Sequence, residues 1–219
     1  MATTNAQPTG PDPDGTEYHK RPEFLIAMYN QLMGDINRHI VVVWQMVGVM
    51  TASVAALVFA QKNGVPASYA FILIATVSAW ALEHIFDSNF WYNRNLVMIT
   101  NIERVFLREK DLGYIHPYFA EHRKEHSFLA HLRIQRDYSY VVVAASLAYF
   151  TLVDVIPSLD RSASLDWRKV VAYAFAAGFV ARAWYLTRKY DEKYRDYLKI
   201  SPGIAISHHI DFGTTHGKQ

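Results

Sequence analysis

Histidine is the residue type in this sequence that most readily suggests chemistry. The chain has ten of them, and His122, His126 and His131 follow one another at spacings of four and five residues. The spacing of four places His122 and His126 on one side of a helix. Imidazole is a common ligand of transition metals. The group therefore raises the hypothesis of a metal site, to which His116 and the His208–His209 pair could add ligands.

The sequence around these histidines argues against catalysis. Membrane desaturases and hydroxylases carry H-x-x-H-H boxes, whereas residues 122–126 form a single H-x-x-x-H in which Arg123 and Lys124 lie between the histidines. The absence of cysteine excludes disulfides, zinc–thiolate sites and thiol nucleophiles. No Ser-His-Asp set, P-loop or dinucleotide fingerprint occurs. We therefore predict a protein that is not an enzyme and has no metal or cofactor, with a histidine-box metalloenzyme acting on lipid as the alternative.

Ionisable residues at the ends of apolar segments form a second candidate set. Glu83, His84 and Asp87 end one such segment, and Arg182 lies at a similar depth in another. An unpaired charge is costly in hydrocarbon, so such groups pair with one another or line a wet cavity. We expect a Glu83–Arg182 pair that serves either helix packing or gating. The residues predicted to line or gate a pathway are Gln45, Thr51, Glu83, His84, Asp87 and Arg182.

Cations and aromatic rings are mixed in the segment that follows Asp87. Cations neutralise phosphates and aromatic faces stack on bases, so the mixture fits a nucleotide or single-stranded nucleic-acid ligand. The same basic residues would also attract anionic lipid headgroups. The residues predicted to bind a ligand are Trp91, Tyr92, Arg94, Arg104, Arg108, Arg123, Lys124 and Arg133.

Four apolar stretches have to position these residues. They are His39–Gln61, Val65–Leu82, Tyr138–Ile156 and Val170–Thr187. A stretch of about 20 apolar residues matches a hydrocarbon core about 30 Å thick. Charge is segregated from them, since no Asp, Glu, Lys or Arg falls between Arg38 and Lys62. The sequence therefore predicts an all-α integral membrane protein with four transmembrane helices and long cytosolic helical extensions.

The basic residues predict the orientation, because Lys and Arg of short loops stay on the cytoplasmic side. The leader, the segment between the second and third stretches and the tail carry most of them. Both termini are thus expected in the cytoplasm, in a bacterial inner membrane. We predict a disordered leader at 1–21, a four-span membrane domain at 22–200 and a flexible tail at 201–219.

Helix-breaking residues are absent from two long parts of the chain. Neither Gly nor Pro occurs from Ala67 to Leu112 or from Tyr118 to Ile156, and these are the strongest breakers. The second and third helices should therefore continue beyond the apolar stretches. They are expected to form a cytosolic helical hairpin at 88–137.

Two resemblances suggest a function. The residues Phe86-x-x-Asn89-x-x-Tyr92-x-Arg94 are similar to a segment at the corresponding place in bestrophin anion channels. The layout of most of the chain resembles small multi-span channel effectors of bacterial antiphage defence, in particular the channel subunit of the Hailong system. That resemblance implies a homo-oligomeric, tetrameric, anion-selective channel gated by a cytosolic nucleotidyltransferase partner or its nucleic-acid product. A non-conducting membrane scaffold is a further alternative.

Overall fold

The computed structural model describes residues 16–107, 111, 114, 128–159 and 166–201, with side chains from residue 22 onwards except at 104, 105 and 159. Every regular element in these residues is helical. The elements are α1 (Thr16–Lys62), α2 (Ala67–Phe106), α3 (Ala130–Phe150), a π-helical turn (Thr151–Val155), α4 (Ile156–Leu159) and α5 (Trp167–Ile200). Residues 1–15 and 202–219, which make up most of the predicted leader and tail, lie outside the described residues.

Four helical segments are long and apolar enough to cross a membrane. They are Pro22–Lys62, Ala67–Glu103, Ala130–Ser158 and Trp167–Ile200. Each contains one of the apolar stretches found in the sequence, except that the second begins two residues into its stretch. The prediction of an all-α fold with four such helices is confirmed.

A tight turn joins α1 to α2. Gly64 has a φ of +76°, which residues with a side chain rarely adopt. The Val65 N–H donates to the Ala60 carbonyl at 3.0 Å, and the Gly64 N–H donates to the Gln61 carbonyl at 3.1 Å. This pattern caps the end of a helix at a glycine. We call this end of the bundle the turn end, and the opposite end, where α1 begins and α5 ends, the terminal end.

Helix α2 is the centre of the bundle. It packs along α1, α3 and α5, and α3 also contacts α1. Helix α3 meets α5 through aromatic rings, where Tyr140 contacts Phe179 and Phe150 contacts Tyr173. Helices that follow one another along the chain are antiparallel, whereas α2 and α5 both run from the turn end to the terminal end and are parallel. Their contacts give a rhombus in cross-section, with α2 and α3 on its short diagonal. Helices α1 and α5 therefore occupy opposite corners.

The terminal half of α2 is held by α1. Leu96, Ile99 and Ile102 are buried in one apolar cluster with Leu32 and Ile36 of α1. The sequence predicts an apolar stripe at these α2 positions from their helical spacing. It packs against the first helix and keeps α1 and α2 together well beyond the apolar stretches.

The start of α3 differs from the prediction of one helix from Tyr118 to Ile156. Leu129 is extended, with φ −66° and ψ 141°, and α3 begins at Ala130. The Leu129 N–H donates to the side-chain Oδ1 of Asn89 on α2 at 3.1 Å. Helix α3 therefore begins at a contact between distant residues and not at a Gly or Pro. Most of residues 108–127, in the middle of the predicted hairpin, lie outside the described residues.

A π-helical turn precedes α4. Pro157 has no N–H and cannot donate to the carbonyl four residues earlier, so the turn before it widens over Thr151–Val155. The ammonium of Lys169 on α5 lies 2.9 Å from the carbonyl oxygen of Asp154 and 3.6 Å from its carboxylate. This contact ties the widened turn to the beginning of α5.

Helix α5 begins at a capping carboxylate. The Asp166 side chain accepts a hydrogen bond from the Arg168 N–H at 3.1 Å and from its guanidinium at 3.0 Å. The Arg168 hydrogen bond holds the pKa of the Asp166 carboxyl below its ordinary value. Asp166 therefore satisfies backbone donors that the first turn of a helix leaves unpaired.

Candidate functional site

Glu83 of α2 and Arg182 of α5 form an ion pair. An Arg182 guanidinium nitrogen lies 2.5 Å from a Glu83 carboxylate oxygen, so the expected pair is confirmed. At 1.5 Å per residue, Glu83 lies about 24 Å along α2 and Arg182 about 22 Å along α5, both measured from the turn end. The pair therefore lies within a stretch that is about as long as a hydrocarbon core is thick.

The described residues do not enclose the pair. The Glu83 side chain is 41% exposed and that of Arg182 is 40% exposed. On other sides of the bundle, comparable exposure belongs to large apolar side chains, such as Val180 at 66% and Trp184 at 58%. The Glu83–Arg182 pair thus has apolar side chains on the far side of α5, and the Arg136–Asp137 ion pair of α3 lies near the same level on another side of the bundle.

A second polar contact joins the same two helices one turn nearer the terminal end. The Tyr190 hydroxyl donates to the Asp87 carboxylate at 3.1 Å. Tyr190 is buried, so its ring packs in the core while its hydroxyl reaches the half-buried carboxylate. Glu83 and Asp87 are four residues apart and therefore project from one side of α2.

Cations and aromatic rings meet beyond these contacts, towards the terminal end. The Lys193 ammonium lies 3.9 Å from the ring centre of Phe90 and 5.6 Å from that of Trp91. The Arg94 guanidinium lies 4.7 Å from the Trp91 ring centre. Such distances give cation–π attraction. The Lys189 ammonium lies 5.3 Å from the Tyr190 ring centre. We call this set of residues the cation–ring cluster: Phe90, Trp91, Arg94, Lys189, Tyr190 and Lys193.

The cations of this cluster keep their positive charge available. Within the part of the chain that the structure describes, no carboxylate forms an ion pair with Lys189 or Lys193. The acidic residue Asp196, one turn further along α5, pairs with Lys199 at 2.8 Å. Rings attract a cation without neutralising it. The cluster can therefore attract anions.

The structure separates the predicted ligand residues onto different sides of α2. Trp91 and Arg94 lie beside α5, in the cation–ring cluster. Tyr92 lies beside α3, where its ring centre is 5.1 Å from that of His131. Arg133 is exposed on α3 and donates to the Phe128 carbonyl at 3.4 Å. Consecutive residues of a helix point about 100° apart, which is why Trp91 and Tyr92 diverge.

Several predicted residues cannot be located. Arg104 belongs to α2, but its side chain is not among those described. The ligand and metal candidates outside the described residues are Arg108, His116, His122, Arg123, Lys124, His126, His208 and His209. Among the described residues, no group of three His, Asp or Glu side chains is placed to hold a metal ion. The metal-site hypothesis therefore stays a prediction.

The remaining pathway candidates lie apart from one another. Gln45 is exposed on α1. The Thr51 hydroxyl bonds the Val47 carbonyl and the Tyr138 hydroxyl, both at 2.9 Å. These two residues thus lie on the α1 side of the bundle, away from Arg182. The His84 ring packs edge-on against Trp80, with ring centres 4.8 Å apart.

The chain matches no protein-family model, no curated protein and no solved structure. The likeness to bestrophins and to the Hailong channel subunit therefore stays a prediction. Function has to be argued from the described residues and their geometry.

Sequence reasoning missed two parts of the α2–α5 surface. One is an apolar cleft of about 400 Å³ on the turn-end side of the Glu83–Arg182 pair. Its walls are Ala75, Thr76, Ala79, Ala174, Phe175, Gly178 and Phe179. The other is the pair of lysines at 189 and 193 in the cation–ring cluster. The spacing of these lysines from Arg182 indicates that all three lie on one side of α5. It predicts their place beside α2 only once α2 is known to pack against α5.

Proposed function

We propose that this protein is a multi-pass membrane protein that assembles into a homo-oligomeric ion channel. The half-exposed Glu83–Arg182 pair carries the proposal. A charge pair in contact with lipid tails is costly, so the pair needs a neighbouring subunit or water beside it. Both conditions are met where several copies of the chain surround a water-filled axis.

The apolar surface of the bundle supports insertion into a bilayer. Val41 and Trp44 on α1 are 55% and 61% exposed. Val180 and Trp184 on α5 are exposed to a similar degree. Exposed apolar patches of this kind mark membrane or protein contact surfaces. The opposite corners of the rhombus would thus meet lipid or neighbouring subunits.

We place the terminal end in the cytoplasm of a bacterial cell, with the inner membrane as the location. The cation–ring cluster is at that end, and Lys and Arg concentrate on the cytoplasmic side of a membrane protein. Both termini would then be cytoplasmic. Lys169 and Arg168, at the turn end, are paired with Asp154 and Asp166, so they add little net charge to the outer face.

We further propose that a phosphate-bearing cytosolic ligand opens the channel at the cation–ring cluster. Arginine and lysine attract phosphates, and Trp91 offers a ring on which a base could stack. Permeation of anions agrees with the same positive charge. A nucleotidyltransferase partner and a role in antiphage defence rest on the resemblance in layout alone.

Reconstitution tests the proposal. The full chain is purified and incorporated into planar bilayers of phosphatidylethanolamine and phosphatidylglycerol, and its subunit number is measured by native mass spectrometry. We expect a closed oligomer and discrete current steps, with currents altered in Glu83→Gln but not in Glu23→Gln, a change at an exposed position of α1. A monomer without current would contradict the channel function and would favour the alternative of a non-conducting membrane scaffold. Bound iron with lipid-modifying activity would instead establish the metalloenzyme.

A further inference from the structure

One side of α5 changes character along its length. Phe175, Gly178, Arg182, Lys189 and Lys193 lie within about 60° of one another around the helix axis. All are exposed or half-exposed. From the turn end to the terminal end, this side is apolar at Phe175 and Gly178. It then carries Arg182, which is paired with Glu83, and after that the two lysines.

Helix α2 presents a matching side to the same groove. Thr76, Ala79, Glu83, Asp87 and Arg94 lie within about 80° of one another around its axis. Thr76 and Ala79 line the apolar cleft with α5. Glu83 bonds Arg182, and Asp87 bonds Tyr190. The two helices thus form one groove, which we call the α2–α5 groove, leading from the cleft past both polar contacts to the cation–ring cluster.

The opposite side of α5 is apolar. Val180 and Trp184 are each about 160° from Arg182 around the helix axis, and both are more than half exposed. Lipid tails suit this side, whereas they do not suit the ion pair on the groove side. A helix with one apolar and one charged exposed side, at the depth of the hydrocarbon, is typical of the wall of a water-filled pathway.

We infer that the α2–α5 groove faces the conduction pathway and that Arg94, Lys189 and Lys193 form a cytosolic vestibule that selects small inorganic anions. This inference rests on the proposed channel function and identifies its pore wall. Two carboxylates share this part of the groove: Asp87 accepts the Tyr190 hydroxyl, and Asp196, which lies on the same side of α5 as Gly178, is paired with Lys199. The vestibule is thus positive, and rings of cations favour anions.

The two remaining parts of the groove have different roles. The Glu83–Arg182 pair carries no net charge, so it holds α2 to α5 without favouring either sign of ion. The apolar cleft beyond it, walled by Ala79, Gly178 and neighbouring residues, leaves about 400 Å³ for water and ions.

Cysteine labelling tests whether the groove contains water. The chain has no cysteine, so a single introduced thiol is the only one that can react. Gly178→Cys places it in the groove, where an added Cβ meets no other atom within 4 Å. Val180→Cys is the matched control, two residues away on the apolar side. A charged methanethiosulfonate is applied to each reconstituted protein, and labelling is read by intact mass and by current.

We expect Gly178→Cys to be labelled and to lose current, and Val180→Cys to be neither labelled nor blocked. Labelling of the control alone, or of neither variant, would overturn the assignment of the groove. An oligomer that conducts but resists labelling at 178 contradicts only the pore wall. A protein that never conducts contradicts the proposed function itself.

Charge reversal tests the vestibule. In the full chain carrying Lys189→Glu and Lys193→Glu, we expect the ratio of anion to cation permeability in a potassium chloride gradient to fall by roughly tenfold, the lower end of the enrichment that a charged cleft gives. The control carries Arg188→Glu and Arg195→Glu, which make the same change of charge on another side of α5. It should keep the native ratio.

Two outcomes would overturn the vestibule. One is an equal shift in the groove variant and its control, which would mean a general effect of surface charge. The other is unchanged selectivity with weaker retention of phosphatidylglycerol by the groove variant, compared in vesicles with and without that lipid. That result would assign Lys189 and Lys193 to lipid headgroups instead.

Discussion

Arg182 of α5 donates a hydrogen bond to Glu83 of α2 at 2.5 Å, and both side chains remain about two-fifths exposed. The contact joins two parallel helices, and the exposed side chains on the far side of α5 near this level, Val180 and Trp184, are apolar. The contact therefore holds the two helices together, and its exposed charges require water or another subunit beside them. The stability of this contact can be measured apart from any current.

The Glu83→Gln substitution should destabilise the protein by leaving Arg182 without its counter-charge. Removing one partner of a fully buried pair costs about 3–5 kcal/mol, and partial exposure lowers this to about 2 kcal/mol. Thermal unfolding in detergent measures the change. The control Asp196→Asn breaks an exposed pair with Lys199 and should cost less than about 1 kcal/mol. Equal losses in both variants would contradict a special role for Glu83.

The Tyr190→Phe substitution should destabilise the protein by about 1 kcal/mol, because it removes the hydroxyl that bonds Asp87. The ring is retained, so core packing is preserved. Tyr185→Phe is the matched control, since Tyr185 is 47% exposed. Chemical unfolding of both variants in the same detergent decides the matter. A neutral Tyr190→Phe would mean that the hydrogen bond adds nothing to stability.

The Gly64→Ala substitution should cost about 1–2 kcal/mol, because a side chain disfavours the left-handed conformation. An added Cβ meets no other atom within 4 Å at Gly64, so the loss would be purely conformational. Gly48→Ala has equally open space inside α1. It should stabilise the helix by up to about 1 kcal/mol. Opposite shifts of the unfolding temperature are therefore expected, and shifts of the same sign would contradict the turn.

The Asn89→Ala substitution should destabilise the start of α3. The side-chain oxygen of buried Asn89 accepts the Leu129 N–H at 3.1 Å, and losing a buried partner costs about 1–3 kcal/mol. Hydrogen exchange of the amides at 129–133 should then accelerate. Asn63→Ala is the control, because that exposed side chain bonds only the carbonyl of nearby Phe59 among described residues. Unchanged exchange in Asn89→Ala would show that another group holds Leu129.

The sequence is sufficient to predict the four long helices and the Glu83–Arg182 pair. Both depend on distance along the chain: apolar length sets the spans, and equal distance from the start of two parallel helices brings Glu83 and Arg182 to the same depth. The apolar stripe of α2 is predictable for the same reason, because helical spacing places Leu96 and Ile99 on one side.

Features that depend on which helices are neighbours could not be predicted in this way. The start of α3 depends on a hydrogen bond from Leu129 to Asn89, which no local pattern reveals. Trp91 and Tyr92 are adjacent in sequence, yet one packs beside α5 and the other beside α3. Lys193 joins the cluster only because α5 packs against α2. Sequence spacing shows on which side of a helix a residue lies, but it does not show which other helix packs against that side.

A cryo-EM reconstruction of the full chain in lipid nanodiscs is the most direct test of the channel. It reports the number of subunits, the presence of an axial pathway and the helices that line it. We predict a closed ring in which the α2–α5 groove faces the axis, with Glu83, Arg182 and Lys193 at its wall. A monomer, or a ring whose Glu83–Arg182 pairs face lipid, would contradict the account.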